Sequence, residues 1–201
     1  MQKLIYILTI LTLATACRSS KFNENHGIVI ETIADELKKK IQVVDLGKSI
    51  GVIFPAEYEV NFNREQLKNR FTPTKQEIRN AETEIGKQYL DADRKFIYEQ
   101  VYVRTEEIYG DQKIDKQQTY SDLMKWPIKE AKRSPKFDRQ YIGFIENGDK
   151  KLLVQFIDFS KDPYNLKDQL TNSYIGGWHG WFETNVRKKV YNLDTKKLTV
   201  F

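Results

Sequence analysis

The sequence predicts an α+β fold: an antiparallel β-meander packed against one main helix, with an irregular helical or loop insertion between the two. Three observations predict it. Residues 138–201 alternate apolar and polar side chains in three or four successive runs separated by turn chemistry. Residues 74–89 carry an apolar stripe at helical spacing behind an N-terminal capping signal. The stretch between them, 90–137, keeps neither period for long.

Before any of these elements comes an address. Gln2-Lys3 supplies a short positive region, and residues 4–13 an apolar run too short to cross a bilayer as a lone helix, so residues 1–16 read as a secretory signal. Ala14-Thr15-Ala16 then leads into Cys17, the only cysteine in 201 residues. This string resembles a bacterial lipoprotein lipobox, with Ala14 where leucine is usual and Leu13 one place earlier. The resemblance implies diacylglyceryl transfer to the Cys17 sulfur, cleavage before Cys17 and acylation of its new amino group. The alternative is an ordinary secretory signal with an incidental cysteine. Arg18, not Asp, follows the cysteine, which in Gram-negative lipoproteins implies release to the outer membrane. The basic Arg18-Ser19-Ser20-Lys21 departs from the acidic pattern of surface display and favours the periplasmic face.

Residues 17–26 are polar and without period, so they are expected to be the lipidated cysteine and a flexible tether, with residues 27–201 forming a single domain. Lipid on Cys17 leaves no thiol for a disulfide, and stability must come from an apolar core. The 33 Lys and Arg against 28 Asp and Glu give a net charge of +5, one less once Lys3 leaves. That excess describes a soluble surface and not a nucleic-acid footprint. The partners expected are the lipid bilayer, through Cys17, and a protein of the envelope.

Short β-branched runs at 27–33, 41–46 and 49–54 predict two or three strands, interrupted by Lys38-Lys39-Lys40 and Gly47-Lys48; Ile33, Ala34 and Leu37 leave a short helix over 31–40 as the alternative. Residues 58–62 alternate again. Thr74 with Glu77 three places on is a capping box, and Ile78, Ala81, Ile85 and Tyr89 then form one helical stripe. Farther on, Phe96-Ile97-Tyr98 and Val101-Tyr102-Val103 fit either a continued helix or a strand, with strand preferred. Residues 110–116 read as loop. A short helical pattern over 121–133 is interrupted at Trp126-Pro127. Lys125, Lys129, Lys132, Arg133 and Lys136 make this stretch basic: an ordinary solvated face, or one that meets an anionic lipid or polymer.

In the meander, the run 141–146 ends at Asn147-Gly148, suited to a two-residue hairpin turn. The run 150–160 places Leu152, Val154 and Phe156 on one face and Leu153, Ile157 and Phe159 on the other, the pattern of a sheet centre. Runs at 177–186 and 190–201, the latter turning at 194–197, complete it.

Motif chemistry is sparse. The sequence has no glycine-rich phosphate loop, no Cys or His pair at metal spacing and no Gly-x-Ser-x-Gly elbow, so neither metal nor cofactor is expected. Of two histidines, His26 lies in the tether. His179 lies in Gly176-Gly177-Trp178-His179-Gly180-Trp181-Phe182-Glu183. As a strand, this string would put His179, Trp181 and Glu183 on one face and Trp178 and Phe182 on the other. The first set could form a ligand platform, Trp181 stacking on an apolar or sugar-like ring while His179 and Glu183 hydrogen-bond. Alternatively His179 and Glu183 pair on the solvent face while Trp178 and Phe182 anchor the core.

The lipobox, Arg70-Phe71-Thr72-Pro73-Thr74, Arg139-Gln140-Tyr141-Ile142-Gly143-Phe144 and Asn192-Leu193-Asp194-Thr195-Lys196-Lys197-Leu198 look like small Bacteroidota lipoproteins of unassigned function. The helix-then-meander order resembles cystatin-like and PepSY-like domains, which implies binding or inhibition more than catalysis. The expectation is a non-enzymatic, membrane-anchored binding or accessory protein of the periplasm. The alternatives are an inhibitor or immunity-type protein against a secreted enzyme or toxin, and a hydrolase using His179.

Overall fold

The computed structural model describes residues 20–23, 28–32, 35–58, 67, 69–177 and 180–201. In chain order the elements are β1 (Ser20–Asn23), β2 (Ile28–Thr32), α1 (Asp35–Lys38), β3 (Gln42–Asp45), β4 (Ile50–Ile53), β5 (Arg70–Phe71), α2 (Lys75–Tyr98), α3 (Thr105–Tyr109) and α4 (Lys116–Arg133). There follow β6 (Asp138–Glu146), β7 (Asp149–Ile157), β8 (Ser173–Gly177), α5 (Trp181–Asn185), β9 (Val186–Asn192) and β10 (Lys197–Val200). The fold class is α+β, as expected.

The larger sheet runs β10-β9-β7-β6-β4-β3. Its pairs are antiparallel except β4 with β6, which are parallel. The first half of β6 lies beside β4 and its second half beside β5, where Phe71 faces Gly143. A Cβ on Gly143 would stand 2.5 Å from the Phe71 carbonyl oxygen, so only glycine allows β5 this close. Asn147 and Gly148 both take positive φ in the β6–β7 turn, which is why this pair closes a two-residue hairpin.

Both faces of β7 are buried, as its two apolar sets require. Leu152, Val154 and Phe156 meet the Ile78, Ala81, Ile85 and Tyr89 stripe of α2; Leu153 and Ile157 meet Leu166, Leu170, Tyr174 and Ile175 on the other side. Complete burial of each such isoleucine or leucine stabilises by about 1.5–3 kcal/mol. The second face is covered by β8, which belongs to a smaller sheet, β1-β2-β8. Two fully buried glutamines, opposite each other on β6 and β7, join the sheets. Gln140 Nε2 donates to the Leu170 and Ser173 carbonyls at 3.0 and 2.7 Å, and Gln155 Nε2 to that of Ile175 at 2.6 Å. Their side-chain oxygens accept from Ile175 N–H and the Tyr174 hydroxyl.

The Thr74 capping box opens α2 as expected: Thr74 Oγ1 accepts from Glu77 N–H at 3.1 Å and the Glu77 carboxylate accepts from Thr74 N–H at 2.8 Å. Four expectations are corrected. Residues 96–103 are not a strand: α2 continues to Tyr98 and a π-helical turn follows over Glu99–Val103. Extending an existing helix adds a hydrogen bond for each residue fixed, and Val101 is buried in a turn that packs on α4. Trp126-Pro127 does not interrupt α4, which is one helix from its Asp115 cap to Arg133. Packing of buried Met124, Pro127 and Glu130 offsets the roughly 3 kcal/mol that an interior proline costs. Within the expected tether, Ser20–Asn23 pair with β2, since a free strand edge recruits backbone whatever its side chains. Last, the expected third run of the meander is not a strand over 177–186. Gly180 takes φ +56°, α5 follows, and the third strand is β9.

Candidate functional site

Arg79, Glu82, Thr83 and Gly86 recur at three- and four-residue intervals along α2, so they share one face of the helix. This face forms one wall of a cleft of about 380 Å³. Asp45 at the end of β3, Ser49 in the β3–β4 turn, Ala131 near the end of α4 and Pro135 just beyond it form the opposite side, and Ile85, Arg139 and Phe156 line its depth.

An ion pair organises the interior. Arg139, on β6, has a side chain only 7% exposed and Glu82 one 15% exposed, with Arg139 Nε 2.9 Å from Glu82 Oε2. The N–H does not point along that line, so the contact is ionic and not a hydrogen bond. Arg139 Nη1 donates to Ser49 Oγ at 2.8 Å and to the Phe137 carbonyl, and Nη2 donates to the Ser134 carbonyl at 3.2 Å. The guanidinium also lies 5.0 Å from the centre of the Phe156 ring. Glu82 Oε1 accepts from the Tyr141 hydroxyl at 2.7 Å. Burial holds the Glu82 carboxyl above its ordinary range against the opposing pull of Arg139 and Tyr141. Burial likewise pushes the Tyr141 phenol well above 10, with the Glu82 charge adding to it.

The mouth is simpler. Arg79 and Asp45 line it and are exposed; Asp45 Oδ1 accepts from Gly47 N–H at 2.7 Å. Gly86 faces open space, with nothing within 4 Å of where a Cβ would stand. Glycine inside a helix costs about 1 kcal/mol relative to alanine, and here the gain is room in the cleft. A wider polar depression of about 590 Å³ lies against Glu77, Asn80 and Glu84 of α2, but it has no buried ion pair.

Next to the cleft, between α2, α4 and β9, sits a second charged cluster. Lys189 Nζ lies 2.5 Å from Asp93, Arg187 Nε lies 2.9 Å from Glu130, and the Tyr89 hydroxyl donates to Glu130. The Arg187 guanidinium stacks 3.7 Å over the Trp126 ring. These contacts lock α4 to the sheet.

Of the residues singled out in the sequence, Cys17, Trp178 and His179 lie outside the described residues. Trp181 opens α5, is half-buried, donates its indole N–H to the Lys161 carbonyl and stacks 6.1 Å from Phe159. Glu183 is exposed two positions on. In a helix two residues are separated by about 200° around the axis, so Trp181 and Glu183 do not share the face that a strand would have given them. Among the described residues no group of His, Cys, Asp and Glu is placed to hold a metal ion. Sequence reasoning missed Glu82, Arg139 and Gly86. Glu82, four residues after Ile78 and three before Ile85, borders the buried stripe, which was a legible sign; the Arg139 partnership, 57 residues away along the chain, had none. No family model matches the chain, and neither does any curated protein or solved structure.

Proposed function

We propose that the chain is a non-enzymatic binding protein of the cell envelope, anchored through acylated Cys17 to the outer membrane on its periplasmic side, with the α2 cleft as its binding site. The observation that carries the binding role is the cleft itself: a space of ligand size, with a buried ion pair and a helix wall opened by Gly86. Glu82 and Arg139 engage each other, Tyr141, Ser49 and main-chain carbonyls, which suits a fixed polar surface better than a group that must exchange protons. Ala14-Thr15-Ala16-Cys17 supports the anchor. With β1 beginning at Ser20, three residues after Cys17, at most about 11 Å of chain separates lipid from sheet, which would hold the domain at the headgroups.

Metabolic labelling with a fatty acid followed by membrane fractionation tests the anchor. Label should vanish in Cys17→Ala, leaving either an uncleaved precursor or a soluble product, since the thioether is the route to the anchor and two acyl chains give stable membrane residence where one does not; label retained in the variant rejects it. For the cleft, a small-molecule extract of the envelope should raise the melting temperature of the wild type and not of Gly86→Phe. A second reading, an inhibitor or immunity-type protein, is favoured by one observation: Phe96 and Tyr98 at the end of α2 and Trp126 of α4 are exposed aromatic side chains, of the types enriched at protein interfaces.

A further inference from the structure

We infer that the α2 cleft takes a small zwitterion with an apolar body, of the class of a short apolar peptide; this rests on the cleft being the binding site. Charge balance is the first argument. The charged groups lining it are Asp45 and Glu82 against Arg79 and Arg139, two of each sign, so the cleft carries no excess charge to draw in a phosphate or a metal ion. Within that balance the deep pair is closed on itself through the Glu82–Arg139 contact, whereas Arg79 and Asp45 stand exposed at the mouth and form no ion pair with each other. Two exposed charges of opposite sign that are not paired with each other are complementary to the two ends of one zwitterion, carboxylate at Arg79 and ammonium at Asp45. The apolar lining of the same cleft is Leu46, Ile85, Ala131, Pro135 and Phe156, which suits an aliphatic side chain. Gly86 leaves that space open; a phenylalanine there would occupy it without meeting protein atoms at its Cβ.

The test is calorimetric titration of the full chain with leucyl-leucine, N-acetyl-leucyl-leucine and leucyl-leucinamide. Leucyl-leucine should bind. Blocking either end should weaken binding by about tenfold or more, the worth of a charge-assisted contact. Gly86→Phe should abolish binding with the melting temperature unchanged or raised. Arg79→Glu, an exposed substitution, should lose the preference for a free carboxylate, so that the amide binds as well as the acid. Failure of leucyl-leucine to bind the wild type, or equal binding by acid, amide and acetylated forms, overturns the inference. If the envelope extract still stabilises the wild type and not Gly86→Phe, only the ligand class is wrong. Should the extract also fail, the cleft falls as the binding site.

Discussion

Lys189 is 2% exposed, the least accessible of the buried charged side chains among the described residues, and its surroundings explain how that is tolerated. Asp93 meets its ammonium at 2.5 Å and the Tyr89 ring lies 4.4 Å below it. Burial still lowers its pKa, with Asp93 pulling the other way. Lys189→Met should therefore destabilise the fold by about 3–5 kcal/mol, because it removes the ammonium that the Asp93 carboxylate of α2 meets, while adding Asp93→Leu should recover most of the loss. Denaturant titrations of the single and double variants check this, and a double variant as weak as the single would show that the pair has no mutual dependence. Glu82 carries a pH signature. Its folded-state pKa is raised above 4.5, so the folded protein binds this proton at higher pH than the unfolded chain does. The associated stability is complete below 4.5 and is lost as pH rises through the folded value. Relative to Glu82→Gln, which cannot titrate, the wild type should gain melting temperature as pH is lowered from 7 toward 4.5; a difference independent of pH would contradict the raised value.

At the scale of elements, α2 shows how local and tertiary terms divide the work. Its start is set locally by the reciprocal Thr74–Glu77 bonds, so Thr74→Ala should cost about 1 kcal/mol without a change of fold, measured as a shift of the denaturation midpoint. Its far end is set by neighbours. Ile78 to Ala92 lie on the sheet, and past them Phe96 and Tyr98 are exposed, while the π-helical turn brings Val101 into burial and stacks Tyr102 on Tyr98 at 4.8 Å. The same holds for α4, which packs on α2 and keeps its buried interior Pro127 against its own propensity. In α5 a five-residue helix forms in a sequence with strand-like alternation, because Thr184 and Asn185 bond back to the Gly180 and Trp181 carbonyls, at 3.0 and 2.8 Å, and Phe182 is buried.

For the whole molecule, the feature with most consequence is that the large sheet is covered on both faces by different means. The α2 face is joined mainly by apolar contact, and the β8 face partly by the Gln140–Gln155 bridge. A polar bridge of this kind is exacting, since removing one member strands the groups it satisfied. Gln155→Leu should leave the Ile175 carbonyl without the side-chain donor that satisfies it, at about 1–3 kcal/mol, and should loosen the small sheet first. Hydrogen exchange resolved along the chain reads this directly: protection should fall in β8 and survive in β6 and β7. Uniform loss across both sheets would mean that they unfold as one unit.

What the sequence alone determined are the features written in short-range pattern. The two-sided apolar run of β7, the Asn147-Gly148 hairpin, the Thr74 capping box and the α2 stripe each involve neighbours within a few residues, and together they sufficed for the α+β class. Tertiary structure alone decided the features whose partners are distant or whose local preferences conflict. Residues 96–103 satisfy both periods, and the choice of helix follows from Val101 packing on α4. Trp181 and Glu183 alternate like strand residues, yet the backbone reverses at Gly180 and coils. The cleft belongs to this second group. Glu82 meets Arg139 across 57 residues, and Asp45 lines the same cleft as Arg79 because β4 pairs with β6 and carries β3 at its outer edge. Periodicity reports which way a side chain points along its own element. Which residue of another element it then meets depends on how the elements pack, and that is settled by burying the whole apolar surface at once.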